Sequence, residues 1–142
     1  MGKILSEAEI KKVTEAIQTA EKNTSGEIRV HIEQKCEEDV LDHAAFIFDK
    51  LNMHKTALRN GVLFYVALNS RKLAILGDVG INQKVPKGFW DEIKELMINH
   101  FKKGEFAEGL SNGILKAGEQ LKQHFPYQSN DKNELSDEIS FG

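Results

Sequence analysis

The feature that most constrains this fold is an unbroken apolar segment, residues 61–68, with the sequence GVLFYVAL. It has the length of a strand, it is rich in β-branched and aromatic residues, and it does not alternate with polar residues. A strand of this kind is usually covered on both faces, so we expect it in the middle of a sheet. Asn69-Ser70 breaks the pattern, and residues 72–76 then predict a second strand that completes a β-hairpin.

The rest of the chain predicts helices around this hairpin. Ser6 and Glu9 form a capping box that opens a first helix, which we expect to end near residue 22. Residues 27–34 alternate between apolar and polar side chains, which indicates a strand with one face wet or only partly covered. Further helices are predicted over about residues 37–51, 86–103 and 105–124. The predicted order is α-β-α-β-β-α-α, and its strand–helix–strand unit predicts that the first two strands are parallel.

Composition and charge bound the function classes. At 142 residues the chain is long enough for one domain with a sizeable core, which we place at residues 1–125. The net charge of −3 gives no general attraction for nucleic acid, and no apolar segment approaches the roughly 20 residues of a membrane span. Residues 126–142 are acidic and poor in apolar side chains, so we predict a disordered tail.

The ends and the single cysteine add little chemistry. Cys36 is the only cysteine, which excludes an intramolecular disulfide and a cysteine-based zinc cluster. No secretion signal is recognisable, so the expected location is the cytoplasm. Gly2 matches the loose pattern for N-myristoylation, and the sequence leaves that modification open.

Short motifs follow one another in a set order over about residues 5–125. They are Leu5-Ser6, residues 21–24, Asn60-Gly61-Val62-Leu63, Arg71-Lys72, Gly77-x-x-Gly80-Ile81, Phe106 and Gly109-Leu110. In order and spacing they resemble the TPM domain family, named for thylakoid-lumen, photosystem II repair and MOLO-type proteins. The end of the chain is similar to that of small stand-alone bacterial members.

This resemblance implies a Rossmann-like α/β/α sandwich around a short mixed sheet. It also implies what is described for family members: acid phosphatase activity in plants, binding of calcium or other divalent ions, and maintenance of membrane protein complexes. The chain departs from the family pattern at Asp78, where tyrosine is frequent, and at Asn82, which replaces the closing acid of the same motif.

A candidate ion site lies at the end of the predicted hairpin, where Gly77 and Gly80 flank Asp78. In a mixed sheet the end of the third strand lies beside the starts of the first two. Asp78, Asn60 and Glu27 are therefore expected to meet there, together with backbone carbonyl oxygens. Oxygen ligands suit Ca²⁺ or Mg²⁺, for which we expect weak affinity. The alternative is that Asp78 is a turn residue whose side chain bonds its own backbone.

Other candidate sites have plainer interpretations. Glu37, Glu38 and Asp39 could also hold the ion, but consecutive positions at a helix start point apart, which favours a solvated helix start. Cys36 could be a nucleophile, yet the acids that follow it disfavour a thiolate, so an inert thiol is expected. The five histidines are expected on the surface or in linkers. They are His31, His43, His54, His100 and His124.

Two function classes remain open at this stage. One is a non-catalytic module that binds a divalent cation or a protein partner. The other is a metal-dependent acid phosphatase acting on phosphomonoesters, in which carboxylates hold the ion and the ion polarises the phosphate. The sequence contains no Cys-x5-Arg, Asp-x-Asp or Arg-His-Gly signature of known phosphatases. We therefore favour the non-catalytic module.

Overall fold

The structure is a computed structural model that describes residues 5–22, 24–126 and 137–142. Its helices and strands are, in chain order, α1 (Glu7–Glu21), β1 (Glu27–Glu33), α2 (Val40–Lys50), β2 (Gly61–Ala67), β3 (Lys72–Gly77), α3 (Val79–Asn82), α4 (Asp91–Lys102), α5 (Phe106–Leu121) and β4 (Ser140–Phe141).

The four strands form one mixed sheet in the order β3-β2-β1-β4. β1 runs parallel to both β2 and β4, whereas β2 and β3 form the predicted antiparallel hairpin. β2 is buried along its whole length, which confirms its expected central place. The register sets Glu27 opposite Gly61 and Val62 opposite Gly77. The starts of β1 and β2 and the end of β3 therefore lie together, at what we call the Glu27 end of the sheet.

Helices cover both faces of the sheet, which makes an α/β/α sandwich. On one face, α1, α4 and α5 pack on the apolar side chains of β1 and β2, and this larger core includes Ile17, Ile28, Phe64, Met97 and Ile114. On the other face, α2 covers β2 and β3 in a smaller core that includes Ala44, Ile47, Leu63, Tyr65 and Ala74. The polar side chains of β1 lie beside α2 on this face, so polar groups collect there.

Two features of the helices depend on single residues. Ser6 caps α1, because its hydroxyl accepts from the Glu9 backbone N–H while the Glu9 carboxylate accepts from the Ser6 N–H. Gly113 lets α5 approach α4 closely, since a Cβ there would lie 2.8 Å from the Met97 sulfur.

The observed order differs from the prediction in three places. A short helix, α3, follows β3 directly, because Asp78 caps it. α4 begins at Asp91 rather than near residue 86. The predicted disordered tail requires correction at its end, because Ser140–Phe141 pair with β1 as an additional strand. Residues 127–136 of that tail lie outside the described residues.

In the described parts of the chain, we find no helix whose length and apolar content would let it cross a membrane.

Candidate functional site

Asp78 lies between β3 and α3, and donors of the protein itself hold its carboxylate. Arg59 binds it at two points, with Nε 2.8 Å from Oδ2 and Nη2 2.9 Å from Oδ1. The Val79 backbone N–H also donates to Oδ1, at 2.7 Å. The hydrogen bonds to Asp78 raise the pKa of Arg59. Asp78 therefore caps α3 and pairs with Arg59, which matches the turn role that the sequence left open for it.

Gly77 and Gly80 allow close packing around that cap. A Cβ on Gly80 would lie 2.2 Å from the Leu58 carbonyl oxygen, and the Gly80 N–H donates to the Arg59 carbonyl at 2.9 Å. A Cβ on Gly77 would lie 2.8 Å from Cγ2 of Ile81. Gly80 is thus required by the crossing of two backbone segments, and Gly77 by the nearby Ile81 side chain, whether or not an ion lies near them.

Glu27 and Asn60 lie side by side, as the strand order predicts. The Glu27 backbone N–H donates to the Asn60 carbonyl at 3.1 Å, and both side chains are buried. The Asn60 amide nitrogen donates to the Ser25 carbonyl at 2.8 Å. Its Oδ1 is buried without a hydrogen-bond partner anywhere in the described ranges. A buried amide oxygen without a donor is costly, so this atom marks a position where a ligand would be stabilising.

Two acids outside the predicted ion site, Glu21 and Asp137, lie at the same end of the sheet. The Glu21 carboxyl accepts from the Ile28 N–H at 3.0 Å and hydrogen-bonds the Asp137 side chain. Burial, that hydrogen bond and the charges of Asp137 and Glu27 raise the pKa of Glu21 to about 9. We call Glu21, Glu27 and Asp137, with the Asn60 amide, the carboxylate cluster.

A sequence signal for Glu21 exists, because it falls four residues after Ile17 and so continues the apolar stripe of α1. An acid in such a stripe needs a polar partner. Asp137 carries no comparable signal, since only the return of the chain brings it to α1.

The segment between Glu21 and Glu27, which joins α1 to β1, is bonded to the end of α5. Thr24 forms an isolated bridge with Pro126, and the Ser25 N–H donates to the Phe125 carbonyl at 2.9 Å. The Thr24 hydroxyl donates to the same carbonyl. The chain therefore leaves α5 beside the start of β1.

The cluster contains only oxygen donors, which suits a hard cation such as Ca²⁺ or Mg²⁺. Among the described residues, however, no group of three or more histidine, cysteine, aspartate or glutamate side chains is arranged to hold a metal ion. Glu21 and Asp137 instead face each other as a hydrogen-bonded acid pair. The residues present fit such an ion in their chemistry, but they would have to turn toward it.

The acids before α2 point apart, as expected for a helix start. Asp39 caps α2 by accepting from the Asp42 N–H at 3.0 Å, and Glu38 bonds the His43 ring. Glu37 is exposed to solvent. Cys36 is buried, and its sulfur donates to the Glu38 carbonyl at 3.4 Å, in keeping with an inert thiol.

A second polar group, which we call the histidine cluster, consists of His31, Glu33, His43 and Tyr65. Nε2 of His31 lies 3.0 Å from Oε1 of Glu33, and Nε2 of His43 lies 3.0 Å from Oε2. The Tyr65 hydroxyl donates to Oε2 at 2.6 Å. On its other side, Nδ1 of His31 lies 2.8 Å from the Ser140 hydroxyl of β4. The Glu33 carboxylate thus connects the side chains of His31, His43 and Tyr65, next to β4.

Burial and these hydrogen bonds shift the titration of the histidine cluster. Burial lowers the pKa of His31, whose surface is only 4% exposed, so the prediction of a surface histidine is wrong here. Burial alone would raise the pKa of Glu33, but the bonds from Tyr65 and His31 outweigh it and the pKa is lowered. Burial and the bond to Glu33 raise the pKa of Tyr65. A tyrosine inside an otherwise apolar central strand was the available signal, because its hydroxyl needs a partner.

Comparison with known proteins places this geometry in a family. The TPM domain profile matches residues 1–120. The chain is similar to the BA42 protein from the psychrophilic bacterium Bizionia argentinensis, whose NMR structure shares 46% sequence identity. That alignment covers 100% of this chain and 98% of the other, with a TM-score of 0.94. No curated protein matches the chain.

Two more distant solved structures share the fold. The N-terminal domain of a P. gingivalis protein is 22% identical, covers 89% of this chain and 83% of its own, and has a TM-score of 0.69. The N-terminal domain of cg2496 from Corynebacterium glutamicum is 12% identical, covers 94% and 84%, and has a TM-score of 0.67. At these identities the likeness concerns the fold alone.

Proposed function

This chain belongs to the TPM domain family, and we propose that it is a non-catalytic member that binds a divalent cation at the carboxylate cluster. The observation that carries this proposal is the buried Oδ1 of Asn60, which has no hydrogen-bond partner in the described part of the chain. The backbone carbonyl of the same residue accepts from the N–H of Glu27, which is also buried. A cation coordinated there would satisfy Oδ1 of Asn60 and would balance the negative charge of the acids around it.

The acid pair supports the same site through its proton. Glu21 is bonded to Asp137, with its pKa raised to about 9, so it holds a proton at neutral pH when no cation is bound. A cation binding to these carboxylates has to displace that proton. Binding should therefore weaken as the pH falls, and it should release protons into solution.

The expected affinity is low. The cluster is not arranged as a coordination sphere, so binding includes the cost of turning carboxylates toward the ion. By comparison with weak extracellular modules, we expect a dissociation constant for Ca²⁺ on the order of 10⁻⁴–10⁻³ M. Ca²⁺ should bind more readily than Mg²⁺, because Mg²⁺ requires near-octahedral geometry and dehydrates reluctantly.

The separation of the two polar clusters favours a non-catalytic role over a phosphatase. Candidate proton donors and acceptors are found in the histidine cluster, at the carboxyl end of β1, whereas Glu27 begins that strand. Six residues of extended chain separate Glu27 from Glu33, which is roughly 20 Å at the usual rise of a strand. A phosphate bound to an ion at Glu27 is therefore beyond the reach of His31 and His43.

The test is a titration of backbone amide NMR shifts with CaCl₂ at pH 7.5. We expect shifts concentrated at residues 21–28, 60–61 and 137. Shifts confined to residues 37–39 would assign the ion to the start of α2, and shifts confined to 77–80 would return it to Asp78. If no amide moves by several millimolar Ca²⁺, the cation proposal fails.

Variants give the assignment a direct control. Glu27→Gln should weaken Ca²⁺ binding at least tenfold, since it removes a buried charged ligand at nearly constant volume, which is worth about 1.5–3 kcal/mol. Glu95→Gln, an exposed change on α4 with the same loss of charge, should leave binding unchanged. Equal effects of the two variants would indicate general charge attraction instead of a site.

Turnover of a generic phosphomonoester separates the two function classes. The wild-type protein should give no hydrolysis above background with 5 mM Ca²⁺ or Mg²⁺, which is roughly 5 to 50 times the dissociation constant expected for Ca²⁺. Hydrolysis that EDTA abolishes and that Glu27→Gln also abolishes would establish the metal-dependent phosphatase instead.

A further inference from the structure

A cavity of about 470 Å³ opens at the hairpin end of the sheet, opposite the Glu27 end. It lies between the β2–β3 turn and the turn that joins α4 to α5. Its apolar wall is formed by Val66, Leu68, Leu73, Ile98, Phe101 and Phe106. Pockets for small molecules usually measure about 300–1,000 Å³ and are mostly apolar, with a few polar groups that orient the ligand.

Two positively charged side chains belong to the lining of this apolar cavity. They are Arg71, in the β2–β3 turn, and Lys102, at the end of α4. Neither side chain makes a hydrogen bond or an ion pair with any described residue. The acid of the adjacent turn does not neutralise them, because Glu105 lies 2.9 Å from Nδ1 of His100.

A third basic residue, Lys72, contributes only its aliphatic stem. Its ammonium donates to the Cys36 carbonyl at 3.0 Å and to the Glu38 carbonyl at 3.1 Å, and both acceptors belong to the loop before α2. The charge available to a ligand in the cavity is therefore that of Arg71 and Lys102.

The turn that joins α4 to α5 leaves free space at Gly104, on the lining of the cavity. Gly104 ends α4 with φ +77°, and a Cβ on it would meet no atom within 4 Å. Arg71 also has a positive φ, of 54°, which fixes the turn that carries its side chain. Ile98 is 40% exposed on the lining, so an apolar surface remains in water beside the two charges.

We propose that this cavity binds a small amphiphile with an apolar chain and an anionic head, of which a medium-chain carboxylate is the simplest. The chain lies against Leu73, Phe101 and Phe106, and the carboxylate is held by Arg71 and Lys102. A guanidinium offers two parallel N–H donors to a carboxylate, so Arg71 supplies direction as well as charge. Each methylene removed from water should raise the affinity about fourfold.

The site is independent of the proposed cation site. β2 runs from one to the other, and its seven residues span roughly 20 Å at the usual rise of a strand. The ligand titration is therefore done in EDTA, so that its result does not depend on whether the carboxylate cluster binds an ion.

The experiment is a titration of backbone amide NMR shifts with octanoate, followed by octanol and butyrate. Octanoate should shift residues 66–73 and 98–106 and leave residues 21–28 unchanged. Octanol has the same chain without the charge, and butyrate has the charge with a shorter chain. Each should bind about tenfold more weakly or worse, because each lacks one of the two interactions. Equal binding of octanol and octanoate, shifts spread over the whole surface, or no shift by 10 mM octanoate would each overturn the proposal.

Variants test the two cations without touching the core. Arg71→Gln combined with Lys102→Gln should weaken octanoate binding at least tenfold and leave octanol binding unchanged. The control is the single change Lys122→Gln, which leaves the neighbouring Glu119 unchanged. It removes an exposed positive charge at the end of α5, away from the cavity lining. Ile98→Trp should weaken both ligands by filling the space. If the double variant binds octanoate as the wild type does, the assignment of the anionic head is wrong.

Discussion

Arg59 and Asp78 form a two-point ion pair that joins the segment before β2 to the segment after β3. The backbone supports the same junction, since the Gly80 N–H donates to the Arg59 carbonyl at 2.9 Å. Arg59 itself adopts a positive φ of 51°, which is uncommon for a residue other than glycine. The glycine-framed aspartate is thus one part of a structural clamp between two segments.

Asp78→Ala should therefore lower stability without affecting cation binding. The change removes the cap of α3, and lost caps usually cost about 0.5–2 kcal/mol of the free energy of unfolding. Urea denaturation measures the loss, and the Ca²⁺ affinity of the folded variant should stay within twofold of the wild type. A folded Asp78→Ala protein that no longer responds to Ca²⁺ would show that Asp78 is a ligand after all.

Gly80→Ala should destabilise the protein by steric conflict. The new Cβ would lie 2.2 Å from the Leu58 carbonyl oxygen and 2.6 Å from that of Arg59, so backbone has to move. Overpacking of this kind typically costs about 1–3 kcal/mol. Gly26→Ala is the matched control, because its Cβ would make ordinary contacts, the nearest at 3.4 Å from Leu121. Similar melting temperatures for the two variants would contradict the clamp.

Glu21→Gln should flatten the dependence of stability on pH in the absence of divalent cations. The pKa of Glu21 is about 9 in the folded protein against an ordinary value of 4.5, so between these pH values the folded state holds one proton more than the unfolded state. The contribution of Glu21 to the free energy of unfolding therefore falls as the pH rises from about 5 to about 9, by at most about 1.4 kcal/mol per pH unit. Glutamine keeps an acceptor for Ile28 and a donor for Asp137, and it does not titrate.

Urea denaturation in EDTA at several pH values between 7 and 9, above the range in which His31 titrates, measures this slope. The wild type and the exposed-site control Glu95→Gln should lose stability over that range, whereas Glu21→Gln should stay nearly constant. If the wild type gains stability with rising pH in this window, the acid pair is not protonated.

The titration of His31 should have the opposite effect on the free energy of unfolding at lower pH. It should also loosen the pairing of β4 with β1. Burial lowers the pKa of His31 from the ordinary 6.5, so below pH 6.5 the unfolded state binds a proton that the folded state does not. The free energy of unfolding should fall as the pH drops from 6.5 to the lowered pKa of His31. Glu33, His43 and Lys50 act on the same ring, and Ser140 bonds it from β4.

Amide hydrogen exchange measures this loosening of β4. Protection of the Gly142 N–H, which donates to the Ile32 carbonyl at 3.0 Å, should decline between pH 7 and pH 5 after correction for intrinsic rates. His31→Gln should remove most of this dependence, and His54→Gln, at a half-exposed position, should not. Unchanged protection of Gly142 down to pH 5 would contradict the role of His31.

Half of the candidate ion site was predictable from sequence. The strand order is enough to set Glu27 beside Asn60, because the starts of parallel neighbours meet at one end of a sheet. The same reasoning brought Asp78 to that end correctly, but it did not anticipate that Arg59 would bind its carboxylate. Arg59 directly precedes Asn60 in the chain. Its positive φ turns the backbone in a direction that no local pattern predicts.

What the sequence determined by itself is the part that depends on local periodicity and on apolar runs. The buried β2, the hairpin, the cap at Ser6 and the layering of helices on both faces follow from where apolar side chains recur, because burial of those side chains drives folding.

Only the tertiary structure decided which polar groups meet. Asp137 reaches Glu21, and Ser140 reaches His31, across more than 100 residues of sequence. Polar contacts of this kind leave no periodic trace, since each depends on a single distance between segments that are far apart in the chain. The fourth strand has the same origin, because two residues pair with the edge of β1 only once that edge has been formed by the rest of the fold.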